Sequence, residues 1–98
     1  MTRSIDQIIA DTEAAACLPS GITKDMRCRT FDVSLARNIA CYIARVETHR
    51  SFNAIAAAYG DRDHKMALNG FNRISVALRN KDHDITRLVA AASQEQSK

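Results

Sequence analysis

The stretch "SFNAIAAAYGDRDHKMALNGFNRI", residues 51–74, decides the fold. Ser51 is a cap-forming residue placed just before Phe52, Ile55 and Tyr59, whose three- and four-residue spacing gives one apolar helix face. Gly60 follows at the point where a left-handed residue ends a helix. After Asp61-Arg62, Asp63 caps a second run with Ala67, Phe71, Ile74 and Leu78 inward, reaching about Asn80. A short helix joined to a longer one across a tight glycine-containing turn is the local signature of a helix-turn-helix, although helical bundles also contain such pairs.

The rest of the chain has the same periodicity. Ser4 caps a first helix through Ile5, Ile8, Ile9 and Thr12 to about Ala16, and Leu18-Pro19-Ser20-Gly21 breaks it. A helical turn around Thr23 to Met26 leads into the basic loop Arg27-Cys28-Arg29-Thr30. Asp32 caps a long helix, Val33 to about Thr48, with Ala36, Ile39, Ala40, Ile43 and Val46 on its apolar stripe and Ser34, Arg37, Asn38, Cys41 and Arg45 opposite. A last helix begins near Asp84 and runs through Ile85, Leu88 and Val89, and residues 93–98 form a frayed polar tail. Strict alternation occurs nowhere, so the chain is all-α, a small helical bundle.

Composition agrees. The 98 residues suffice for one domain, and 46% hydrophobic with 26% charged residues, three Gly and one Pro is the make-up of a globular protein. No apolar stretch approaches the roughly 20 residues that cross a bilayer, and no signal-peptide core follows Arg3 and Asp6, so the expected location is cytoplasmic, with no membrane partner. Residues 1–20 carry a net charge of −2, residues 21–50 +3 and residues 51–98 +2. A pI near 9 is compatible with nucleic acid without establishing it.

Enzyme and metal chemistry find no support. Cys17, Cys28 and Cys41 stand eleven and thirteen residues apart, and His49, His64 and His83 are dispersed, so no zinc-ligand spacing arises. G-x-S-x-G, H-E-x-x-H and phosphate-cradling glycine loops are missing. Cys28 between two arginines is a candidate reactive thiol, but it lacks a base. The chain is expected to be no enzyme and to need no cofactor.

In a helix-turn-helix the first residues of the second helix face base edges in the major groove. Here these are Asp63, His64, Lys65 and Met66. Imidazole donates or accepts at a purine edge, ammonium donates to guanine, carboxylate accepts from cytosine N4 and the methionine contacts a thymine methyl. Asp63 reads more readily as a simple helix cap than as a base contact, and His64 and Lys65 read equally as a solvated helix start. Ser51, Asn53, Arg62, Asn69 and Arg73 suit phosphate contacts, and Arg37, Asn38 and Arg45 suit a second stretch of backbone. The Arg27-Cys28-Arg29 loop suits a minor groove, whose negative potential attracts guanidinium.

The run "RNIACYIARVETHRSFNAIAAAYGDRDHKMALNGFNRI", Arg37 to Ile74, resembles the C-terminal DNA-binding domain of the bacterial replication initiator DnaA. Arg37-Asn38, Thr48, Ser51, Ile55, Gly60, Arg62-Asp63-His64, Arg73 and Ile74 carry the likeness, which covers about 75 residues with the arm and last helix included. The resemblance implies a domain-IV, Trp repressor-like bundle that binds an asymmetric double-stranded DNA site as a monomer. It implies Arg29 in the minor groove, Asp63 and His64 at the start of the recognition helix, and Arg37, Asn38, Arg45, Ser51 and Arg73 at or near the backbone. Arg62 matches the motif arginine, whose role is partly structural. Lys65 and Met66 replace the family's usual pair of threonines, which puts binding to the usual replication box in doubt. If residues 1–98 are the whole protein, it lacks an ATPase module. The expected function is then a standalone regulator of replication initiation or transcription, with replication or regulatory proteins as further partners; otherwise the chain is an excised initiator domain. A protein-interaction module that lost base reading, with Met66, Phe52 or Tyr59 in an exposed apolar patch, is the alternative.

Overall fold

A computed structural model describes residues 3–25, 27, 30–61 and 63–93, and five α-helices account for most of them. They are α1 (Ile5–Ala15), α2 (Phe31–Thr48), α3 (Phe52–Ala58), α4 (Lys65–Arg79) and α5 (His83–Ala92), with one turn of 3-10 helix at Ile22–Lys24 between the first two. No strand occurs among the described residues. The chain is an all-α bundle.

Helix α1 starts where the sequence places it. Ser4 Oγ accepts the Gln7 N–H at 3.1 Å, and Ile5, Ile8, Ile9 and Thr12 turn inward at helical spacing. Arg3 then fastens the helix to α2, donating to Asp11 at 2.7 Å and Glu47 at 2.6 Å.

Helix α2 is the axis of the molecule and touches every other helix. Its cap is Thr30, not Asp32: the Thr30 hydroxyl accepts from the Val33 N–H at 3.4 Å, so the helix begins at Phe31. Two cap-competent residues two positions apart leave the register open in sequence. Asp32 falls in the first turn, where its charge favours the positive end of the helix dipole.

The burial of α2 also departs from the expected stripe. Val46 is 44% exposed, while Arg37 and Cys41, placed on the polar face, are buried. Helix α4 covers Cys41 at Gly70, and the turn that holds Thr23 and Asp25 covers Arg37. A Cβ built on Gly70 would lie 2.9 Å from Asn38 Oδ1 and 3.2 Å from Asn38 Cα, so the two helices approach so closely there that even a methyl group would press on α2. An α2 helix covered on several sides has no wide polar face.

Helix α3 and the turn follow the sequence closely. Ser51 Oγ accepts the Ala54 N–H at 3.1 Å, and Ile55 and Tyr59 are buried, with Phe52 half-buried. The helix stops in a Schellman motif. Asp61 N–H donates to Ala56 O at 3.0 Å and Gly60 N–H to Ala57 O at 2.9 Å, which needs the left-handed Gly60, φ +77°.

Helix α4 begins at Lys65, with His64 at the cap position in helical geometry. Asp63 still does the capping chemistry: its Oδ1 accepts the Lys65 N–H at 2.9 Å. Ala67, Gly70 and Ile74 face inward, Phe71 stacks on Tyr42 at 5.3 Å between ring centroids, and Leu78 packs against the core. Helix α5 starts at His83, slightly earlier than expected, because Asp82 accepts the Ile85 N–H and caps it. Of the expected frayed tail, residues 94–98 lie outside the described residues.

Candidate nucleic-acid interface

The outward face of α4 is opposite its buried residues. Since Ala67, Gly70 and Ile74 point inward, a 100° advance per residue directs Lys65, Asn69, Asn72 and Val76 to the far side, with Arg73 on its flank. All five are exposed. Asn72 is a residue the sequence reading missed. Its spacing of seven from Lys65 carried the signal, although the sequence reading singles out only Asn69 and Arg73 on this part of the helix.

At the start of α4, His64 and Lys65 are both exposed, as the sequence reading requires. His64 Nδ1 lies 3.9 Å from Asp63 Oδ1, a pairing that gains charge only when the imidazole is protonated. Asp63 has its N–H on Asp61 Oδ1 at 3.0 Å and its own Oδ1 on the Lys65 amide. It therefore serves first as the cap that fixes the helix end. Met66 is half-buried and packed against the core, so its thioether is less available to a base than the sequence suggests.

The other expected contact residues divide into two groups. Ser51 and Asn53 are exposed at the start of α3, and Arg73 is exposed on α4. Asn38 and Arg73, distant in sequence, line one cleft of about 510 Å³ with Asn72, Phe31, Leu35 and Val76. The structure thus brings the N-terminal part of α2 next to α4.

Arg37 and Arg45 have structural partners instead. Arg37 is 8% exposed, and its Nε donates to Thr23 O at 2.8 Å and its Nη2 to Asp25 O at 3.2 Å. This corrects its expected place on an open polar face. Arg45 Nη1 donates to Arg50 O at 2.7 Å, while its guanidinium carbon lies 4.9 Å from the centre of the Phe52 ring. It braces the link between α2 and α3, and the cation over the ring adds to that brace. Arg29 and Arg62 lie outside the described residues.

The segment before the basic loop is held from both sides. Glu13 is 2% exposed, and its carboxylate accepts from Gly21 N–H at 2.9 Å, Thr23 N–H at 3.0 Å and Thr23 Oγ1 at 2.6 Å. Burial pushes its pKa up, but these donors outweigh burial and hold it below the usual carboxylate value. Arg37 grips the same turn through its carbonyls. Farther along, Arg27 donates its backbone N–H and its Nε to Asp25 Oδ1 at 3.1 and 3.3 Å, and its side chain is 94% exposed.

No cluster of His, Cys, Asp or Glu suited to a metal ion occurs among the described residues. No helix among them is long and apolar enough to cross a membrane.

Comparison with known proteins gives the same picture. The chain is 44% identical over 46 residues to the chromosomal replication initiator protein DnaA of Streptococcus agalactiae, covering 47% of this chain and 10% of that protein. It is 39% identical over 54 residues to the DnaA of Streptococcus thermophilus, covering 55% of this chain and 12% of the relative. The DnaA of Streptococcus equi subsp. zooepidemicus is 41% identical over 46 residues, again 47% of this chain and 10% of the relative. The chain thus spans about a tenth of the length of these relatives. No solved structure matches it. The model of the bacterial dnaA protein helix-turn-helix matches residues 19–74, from the turn after α1 through most of α4, and the chain belongs to that family.

Proposed function

We propose that this chain binds double-stranded DNA in a sequence-specific manner through the N-terminal half of α4, and acts as a regulator of replication initiation or transcription. One observation carries the reading: directly after the glycine turn, His64, Lys65 and Asn69 stand exposed on a helix whose start is fixed by Asp63. A helix end built this way presents donors at a height and spacing suited to a major groove. Ser51, Asn53 and Arg73 flank it with groups suited to phosphate. Family membership supports the same reading, and Arg29 and Arg62 enter it through the likeness alone.

The alternative, an interaction module without base reading, is less well supported. It calls for Met66, Phe52 or Tyr59 in an exposed apolar patch, whereas the first two are half-buried and Tyr59 is 5% exposed.

Fluorescence anisotropy on labelled duplex DNA across a salt series tests the proposal. Log affinity should fall with log salt at a slope of about −0.9 per phosphate contacted, and Arg73→Ala should make the slope shallower by about 0.9. His64→Ala and Arg29→Ala should each weaken binding about tenfold at fixed salt. A flat salt response with all three variants equal to the parent chain would overturn it.

A further inference from the structure

The exposed face of α4 has an unusual chemical bias. Its side chains over the first two turns, His64, Lys65, Asn69 and Asn72, all offer hydrogen-bond donors, and none is a carboxylate or an apolar group. The two neighbours that would broaden the repertoire are each partly engaged in the fold. Asp63 Oδ1 accepts the Lys65 N–H, and Met66 packs against the core.

Base edges in the major groove are not equivalent toward such a surface. Guanine offers two acceptors, O6 and N7, and adenine an acceptor beside a donor, matching a donor-only ammonium and a side-chain amide respectively. Cytosine presents a lone donor, which takes a single contact from an amide oxygen, fewer than the two an amide makes at adenine. Thymine is told apart mainly by its methyl group, which needs an apolar contact. Lys65 and Asn69 are one helical turn apart, about 6 Å along the axis, and stacked bases are about 3.4 Å apart. The two side chains therefore reach base pairs one or two steps from each other.

We propose that the α4 face reads a purine-rich strand, with guanine opposite Lys65 and adenine opposite Asn69. The inference rests on the DNA-binding reading above and narrows its substrate. Lys65 is exposed, and it is its backbone N–H rather than its side chain that Asp63 holds, so its replacement tests specificity without removing a core contact.

The experiment is a selection of bound duplexes from a random pool with the native chain and with Lys65→Met and Asn69→Ala, each first shown to be helical by circular dichroism. The native chain should enrich a site with a guanine and an adenine at most two steps apart. Lys65→Met should lose the guanine preference alone, and Asn69→Ala the adenine preference alone. On the enriched site, replacing that guanine by 7-deazaguanine, which lacks N7, should weaken the native chain about tenfold and leave Lys65→Met unchanged. Retained DNA binding with no base preferred, or a guanine preference that survives Lys65→Met, would overturn this inference and leave DNA binding standing. Absence of binding to any duplex would overturn both.

Discussion

Arg37 Nε donates to the carbonyl oxygen of Thr23 at 2.8 Å, reaching from the middle of the bundle to the turn that precedes the basic loop. The contact makes Arg37 part of the fold. Arg37→Ala should destabilise the protein by about 2 kcal/mol, because two carbonyls held by a charged donor lose it in a buried setting. Arg37→Lys should recover little, since an ammonium cannot span both carbonyls as the planar guanidinium does. Urea denaturation measures this; unchanged stability with weakened DNA binding would return Arg37 to the interface.

Acid should loosen the same turn from the Glu13 side. Thr23 and Gly21 hold the folded-state carboxyl below its ordinary 4.5, so its stabilisation is complete above that pH and is lost as the pH falls through the lowered value. Glu13→Gln should cost about 2 kcal/mol at neutral pH, and its deficit against the native chain should shrink in acid. Urea midpoints at neutral and acidic pH give the comparison, and a deficit independent of pH would refute the assignment.

Close approach at Gly70 sets a third expectation. A Cβ there meets Asn38 Oδ1, which can swing aside, and Asn38 Cα, which cannot. Gly70→Ala gains about 1 kcal/mol of helix propensity and loses a similar amount in the contact, leaving stability nearly unchanged. Gly70→Leu forces α2 and α4 apart and should cost about 3 kcal/mol. Thermal unfolding of both variants tests the pair, and a Leu variant as stable as the native chain would contradict the packing described.

Thiol labelling probes the covered face of α2. Burial, partly opposed by the Arg37 charge, pushes the Cys41 thiol up to about 12. Cys17 is exposed. A thiol reagent at mildly basic pH should modify Cys17 in the folded protein and Cys41 only after unfolding, read by mass spectrometry of digested peptides. Rapid native labelling of Cys41 would show that α4 does not seal that face.

Local signals explain where the sequence reading succeeded. Ser4 and Ser51 cap their helices as expected, and Gly60 adopts the positive φ its place before the turn requires. At the α2 start the sequence points to Asp32 while the structure uses Thr30, because two capping side chains compete there and local chemistry does not rank them. Of the interface, His64, Lys65, Asn69 and Arg73 fall on exposed positions, while Met66 is drawn partly inward by core contact.

The sequence by itself determined the helices, the caps of α1 and α3 and the glycine turn, because each depends on residues within a few positions of one another. It determined the family likeness for the same reason, since the motif is contiguous. Tertiary structure alone decided which side of α2 is covered: Gly70 admits α4 against Asn38, and that contact encloses Cys41. It also decided that Arg37 serves Thr23 and Asp25, because periodicity assigns a side chain to a helix face but cannot say which distant segment packs on it.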